Sequence, residues 1–266
     1  MSLRDFVILS KIGDGSYSEV FKVKRLSDGQ HYALKKVKLG KLSTKEKENA
    51  LNEVRILASI ENPNIVAYKQ AFFEDASSSL CLVMEFADDG DLFQKIVRHQ
   101  KANQLIDEKD IWKTLILMTQ ALKVLHDKQI FHRDLKSANV FLYRNGKSKL
   151  GDLNVSKVAK KGLLYTQTGT PYYASPEVWK DQPYDSKSDI WSLGCVIYEM
   201  TALKPPFRAQ DMNGLYKKVL KGAYPEIPKK YTKDLADVIM KMLSVDSKMR
   251  PNCSEILELE QIQKRI

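Results

Sequence analysis

The stretch His132-Arg133-Asp134-Leu135-Lys136-Ser137-Ala138-Asn139 sets a carboxylate, an ammonium and an amide within eight residues. Asp134 can accept a proton, Lys136 can neutralise an anion, and Asn139 can offer an oxygen to a metal ion. A lone His-Arg-Asp reads as a polar loop after a buried helix. Here the full pattern is followed, twelve residues after Asn139, by Gly151-Asp152-Leu153-Asn154, a second carboxylate in a turn.

Upstream, the chain reads as strands with one helix. Phe6-Val7-Ile8-Leu9 leads into Gly13-Asp14-Gly15, and Val20-Phe21-Lys22-Val23 follows. Ser27-Asp28-Gly29-Gln30 is a hairpin turn, and His31–Val37 alternates into a third strand. Ser43 with Glu46 forms a capping box for a helix carrying Ala50, Leu51, Val54, Leu57 and Ile60, which Pro63 ends. Ile65–Phe72 and Ser79–Phe86 give two more strands. Downstream the pattern turns helical: Asp110–His126, Leu235–Leu243, and Asp189–Met200, which is apolar almost all round and so predicts a buried central helix. A mainly β lobe before a mainly α lobe predicts a ligand cleft near Glu85-Phe86-Ala87.

The upstream half supplies phosphate chemistry of its own. Gly13-Asp14-Gly15-Ser16-Tyr17-Ser18-Glu19-Val20 lets phosphate oxygens approach bare backbone N–H groups, although the same glycines suit a plain β-turn. Fifteen residues after Val20, Lys35 of Ala33-Leu34-Lys35 offers a cation that could meet a phosphate. Lys36 is its rival, and strand alternation favours Lys35. Such a lysine needs an anion to hold it, and Glu53 suits that task better than Glu46 or Glu48, which sit in the first helical turn. Asp152 and Asn139 offer the hard oxygen ligands that Mg²⁺ prefers.

Taken together, the residues from Asp5 to about Leu259 resemble a eukaryotic protein kinase domain: H-R-D-L-K-S-A-N as catalytic loop, G-D-G-S-Y-S-E-V as glycine-rich loop, Ala33-Leu34-Lys35 as the lysine strand, Asp152-Leu153-Asn154 at the D-F-G position and Ser175-Pro176-Glu177 for A-P-E. More narrowly they resemble the NIMA-related (Nek) family, through Glu61–Tyr68, Phe86–Leu92, Thr166–Glu177 and Tyr224-Pro225-Glu226-Ile227-Pro228.

The resemblance implies an α+β, bilobal kinase fold. A small five-stranded antiparallel β lobe with one helix (1–86) precedes a larger, mainly helical lobe (87–266), with ATP in the cleft between. ATP would contact Ile12, Gly13, Asp14, Gly15, Val20, Ala33, Lys35, Glu53, Met84 as gatekeeper, Glu85, Ala87, Asp91 at the ribose, and Phe141. Catalysis would fall to Asp134, Lys136, Lys35, Asn139 and Asp152. The metal, Mg²⁺ or alternatively Mn²⁺, would sit on Asn139 and Asp152. Thr166, with Thr168 second, would be the activating phosphosite, and Arg133 would receive its phosphate. Glu177 would pair with buried Arg250, Asp189 would anchor the catalytic loop, and Thr170 would bond Asp134 and Lys136. Lys136 with Gly169-Thr170-Pro171 implies Ser/Thr rather than Tyr acceptors. Tyr68 matches a tyrosine that holds some family members inactive. Two positions depart from the pattern: Ser18 replaces the third loop glycine, and Asn154 replaces the D-F-G glycine. The second keeps a pseudokinase scaffold as the alternative reading.

The totals agree with a globular intracellular domain: 266 residues, 43% hydrophobic, 29% charged, and no repeat or biased segment. No apolar run reaches membrane-spanning length, and no signal or lipidation motif is evident, so no membrane role is expected. Cys81, Cys195 and Cys253 are scattered, which suits buried free thiols in a reducing cytosol or nucleus. The net charge of +10 reads mainly as solvated surface; aromatics do not interleave with the lysines, which argues against nucleic acid. The resemblance implies protein substrates and microtubule, centrosomal or ciliary partners. It also implies a cytoplasmic, cytoskeletal or nuclear address, with dimerisation through a coiled-coil tail beyond Ile266.

Overall fold

The computed structural model describes residues 2–15, 18–39, 45, 48, 51, 54–55, 58–74, 77–153 and 171–266. The chain divides into two compact units, Met1–Asp88 with Asp152–Thr168, and Asp89–Gly151 with Gly169–Ile266. Within the first unit Asp152 is ion-paired with Lys35, and the Leu153 carbonyl meets Tyr68.

The first unit is a five-stranded antiparallel sheet in the order β1-β2-β3-β5-β4. Its strands are β1 (Phe6–Gly15), β2 (Ser18–Arg25), β3 (His31–Lys38), β4 (Tyr68–Glu74) and β5 (Ser79–Glu85). Phe6, Val23, Tyr32, Leu34, Phe72, Cys81 and Val83 converge in one buried cluster, with the Phe6 and Phe72 rings stacked 6.2 Å apart. Each such burial contributes roughly 1.5–3 kcal/mol. The β2–β3 turn needs Gly29, whose φ of +68° is left-handed, while Asp28 accepts from the Gln30 amide at 3.0 Å.

β4 begins later than the apolar pattern suggests. Asn62 forms a turn, accepting from the Asn64 amide at 2.8 Å on its side chain and from the Ile65 amide at 3.2 Å on its carbonyl. Ile65 and Val66 are buried ahead of the ladder rather than in it. Lys45, Glu48, Leu51, Val54, Arg55 and Ala58 are helical, and Val54 is buried. The expected Ser43–Glu46 capping box lies outside the described residues.

The second unit contains the hairpin β6 (Val140–Leu142) and β7 (Ser148–Leu150). Its longer helices are α1 (Leu92–Lys101), α2 (Glu108–Asp127), α4 (Ser186–Ala202), α5 (Met212–Lys221) and α6 (Lys233–Met242). Short α3 (Pro176–Trp179), α7 (Cys253–Glu258) and α8 (Glu260–Gln263) complete the set. Helix α4 is buried from Ser188 to Thr201 and is the core about which α2 and α6 pack. Asp185 starts it, accepting from the Lys187 amide at 2.9 Å. Trp191 stacks on Phe207 at 5.3 Å. All three cysteines are free and buried. Among the described residues no helix is long and apolar enough to cross a membrane.

Candidate active site

In the second unit the site is built around Asp189, fully buried in the first turn of α4. One carboxylate oxygen accepts from the His132 amide at 2.9 Å and from His126 Nε2 at 2.8 Å. The other accepts from the Arg133 amide at 3.0 Å and from the Tyr184 hydroxyl. Burial opposes ionisation, yet the hydrogen bond from His126 and the neighbouring histidines hold the group below the ordinary Asp value. Two consecutive backbone amides thus point at one buried anion, and Arg133 takes a φ of +67°. Non-glycine residues adopt that conformation only when their surroundings enforce it.

His132 extends the restraint. Its Nε2 lies 2.9 Å from the Gly151 carbonyl, which can only accept, so Nε2 carries the proton. Nδ1 then accepts from the Asp134 amide at 3.3 Å. The backbone that presents Asp134 is therefore tied to both α4 and Gly151. Lys136 Nζ donates to Asp134 Oδ2 at 2.8 Å. Asn139, buried, donates its amide nitrogen to the Asp134 carbonyl at 2.6 Å, which turns its Oδ1 the other way. The Gly151 amide donates to the Asn139 carbonyl at 3.0 Å.

In the first unit Gly13, Asp14 and Gly15 pair with Val20, Glu19 and Ser18 at the end of the β1–β2 hairpin. Lys11 bridges Asp14 at 2.9 Å and Glu19 at 2.7 Å on the exposed side. Lys35 lies opposite Val20 on β2 and Leu82 on β5, and Ala33 lies opposite Met84. The Lys35 ammonium is ion-paired with Asp152, whose φ is +54°. Tyr68, buried, donates to the Leu153 carbonyl at 3.4 Å. Burial and then the Asp152 charge push its phenol far above the usual value. The Glu85 amide donates to the Ala67 carbonyl, and its side chain accepts from the Ala67 amide, both at 3.0 Å. Ile12 is exposed.

Asp91 caps α1, accepting from the Gln94 amide at 2.8 Å, and its backbone bridges to Phe141. Glu177 and Arg250 meet in two 2.6 Å hydrogen bonds, with Ser188 donating to the same carboxylate at 2.6 Å. Glu53, Asn154, Thr166, Thr168 and Thr170 lie outside the described residues.

Several partners were not legible before the structure was known. Tyr184 and His126 hold Asp189, although His126 is 63 residues away along the chain. Tyr173 donates to Glu199 at 2.8 Å and lies 3.1 Å from Ser137 Oγ, linking the segment that carries Ser137 to α4. Burial raises the Glu199 carboxyl against the opposing bonds from Tyr173 and Ser137. For Glu199, a carboxyl inside an otherwise apolar helix was the available signal.

The protein kinase domain family matches residues 6–261. Serine/threonine-protein kinase Nek1 of Mus musculus is 39% identical over 266 residues, covering 99% of this chain and 22% of that protein. Serine/threonine-protein kinase Nek2 of Homo sapiens is 38% identical over 261 residues, covering 96% and 59%. The probable serine/threonine-protein kinase nek2 of Dictyostelium discoideum is 40% identical over 256 residues, covering 95% and 61%. The chain thus spans between about a fifth and three fifths of the length of these curated relatives.

Proposed function

Because the chain belongs to the protein kinase domain family, with Nek serine/threonine kinases as its relatives, we propose that it transfers the γ-phosphoryl group of Mg·ATP to Ser or Thr hydroxyls of proteins. The carrying observation is the catalytic loop: Lys136 sits 2.8 Å from Asp134, and Asn139 is locked to the Asp134 carbonyl at 2.6 Å. Asp134 takes the acceptor's proton, the acceptor oxygen bonds to the γ-phosphorus, and the bond to the β-bridging oxygen breaks to release ADP. Lys136 offsets the charge on the group in transit.

Asp152 and Asn139 supply hard oxygens suited to Mg²⁺, which when bound neutralises phosphate charge. Lys35 must leave Asp152 for the α- and β-phosphates when nucleotide binds; Glu53 is the anion expected to hold it there. Gly13, Gly15, Val20, Ala33, Met84, Glu85, Ala87, Asp91 and Phe141 take their nucleotide roles from the family pattern. So do the proposed phosphosite Thr166, with Thr168 second, and Arg133 as receiver of its phosphate. Cell-cycle, ciliary or microtubule substrates, and a cytoplasmic, cytoskeletal or nuclear site of action, rest on the Nek resemblance alone.

The test is transfer of radiolabelled γ-phosphate to a generic acceptor protein, with the labelled residues identified. The parent should label Ser and Thr and not Tyr. Asp134→Ala and Lys35→Met should lose about 10²–10⁴ in rate while thermal unfolding stays unchanged. An Asp134→Ala protein as fast as the parent overturns the assignment.

A further inference from the structure

We propose that a basic groove in the second unit is a docking site for an acidic segment of a partner protein. The groove is a cavity of 470 Å³ between α1, α2 and the β6–β7 turn. Buried Leu92 and Leu142 form its floor. Lys95, Arg98, Lys113 and Lys147 stand on its walls, against the carboxylates of Asp89 and Asp110. Asp110 is taken by Lys95 at 2.8 Å. Among the described residues, Arg98, Lys113 and Lys147 form no salt bridge.

The fold brings one of these cations to the turn that carries another. Gly146, with a φ of +76°, makes the β6–β7 turn, and a methyl group placed on it would lie 3.5 Å from Lys113 Nζ. The Lys113 ammonium, carried by α2, therefore sits over the turn that delivers Lys147. An anionic side chain in the groove would be met by cations from both elements.

The occupant's chemistry follows from the walls. A single-stranded polynucleotide would want open aromatic faces for stacking. The floor here is aliphatic, and the ring of Tyr143 is already covered by Lys149, 5.2 Å from its centroid. Asp89 would also interrupt a continuous phosphate track. A protein segment with spaced Glu or Asp side chains meets the separated cations without that conflict. The site lies outside the catalytic machinery and does not depend on turnover.

The experiment measures fluorescence polarisation of a fluorescein-labelled peptide of alternating glutamate and leucine, without nucleotide. Binding should saturate, weaken with added salt, and fall about tenfold or more in Lys113→Glu/Lys147→Glu. Arg98→Gln, a milder change at an exposed position, should weaken it severalfold. Lys229→Glu/Lys230→Glu alters net charge equally at exposed positions that do not line the groove, and should leave binding unchanged. Equal loss in both double variants would reduce the effect to overall charge and overturn the proposal. So would equally tight binding of an alternating lysine–leucine peptide. Tighter binding of oligothymidylate, abolished by the same groove variants, would assign the site to nucleic acid instead.

Discussion

Glu177 and Arg250 carry the clearest energetic consequence of any single pair. Arg250 is 1% exposed and spends its remaining donors on the carbonyls of Ser244, Lys187 and Val245. Removing it leaves a buried carboxylate without its cation, so Arg250→Met should cost about 3–5 kcal/mol in urea unfolding. Burial works against the Glu177 charge, but Arg250 and Ser188 outweigh it and bring its pKa down to about 2 from the ordinary 4.5. A depressed folded-state value means the contribution is complete above the unfolded pKa and fades as pH falls toward the folded one. Stability should therefore drop by about 3 kcal/mol from this group as pH falls from roughly 4.5 to 2. Glu177→Gln should remove that part of the slope; an unchanged slope would show that other carboxylates set it. Tyr68 bears on activity instead. Its hydroxyl bonds the Leu153 carbonyl beside the Lys35–Asp152 pair. If that bond restrains Asp152, Tyr68→Ala should raise basal phosphoryl transfer severalfold, and an unchanged rate would leave Tyr68 a packing residue.

Helix α4 shows how one element sets both stability and site geometry. At Gly194 an added Cβ would lie 3.0 Å from Leu243 Cδ2 and from Met242 Cβ. Helix propensity alone would favour Gly194→Ala by about 0.5–1 kcal/mol. Forcing α4 and α6 apart costs about 1–3 kcal/mol, and Met242 Cβ belongs to a helix rather than to the far end of a flexible chain, so overpacking should win. Gly194→Ala should lower the urea midpoint; a raised midpoint would mean the helices separate freely. The same helix marks what sequence could and could not reveal. Its apolar circumference announced a buried core element, just as alternation along His31–Val37 announced β3. The start of β4 was hidden because Ile65 and Val66 are as apolar as strand residues yet buried through the Asn62 turn. The candidate catalytic residues could be picked out because their types and spacing are local. Their restraints could not: Tyr184, His126, Tyr173 and Glu199 come together only once α2, α4 and the stretches on either side of α3 are packed.

At the scale of the whole molecule, the two compact units each enclose their own apolar cluster. The first depends on strand pairings and a modest sheet cluster, the second on a helix buried along nearly its full length. Separate cores favour separate opening, and large multi-unit chains commonly depart from a single two-state transition. Phe72→Ala, in the sheet cluster, should cost about 3–5 kcal/mol, and Leu193→Ala, fully buried in α4, about 2–5 kcal/mol. Native-state hydrogen exchange read by mass spectrometry can assign each loss to its unit. Phe72→Ala should lower protection in peptides from β1 to β5 and spare those from 186–202. Leu193→Ala should lower protection in α4 and its packing partners α2 and α6. If either substitution lowers protection to the same extent throughout the chain, the units unfold as one cooperative body, and the separation of cores has no energetic meaning.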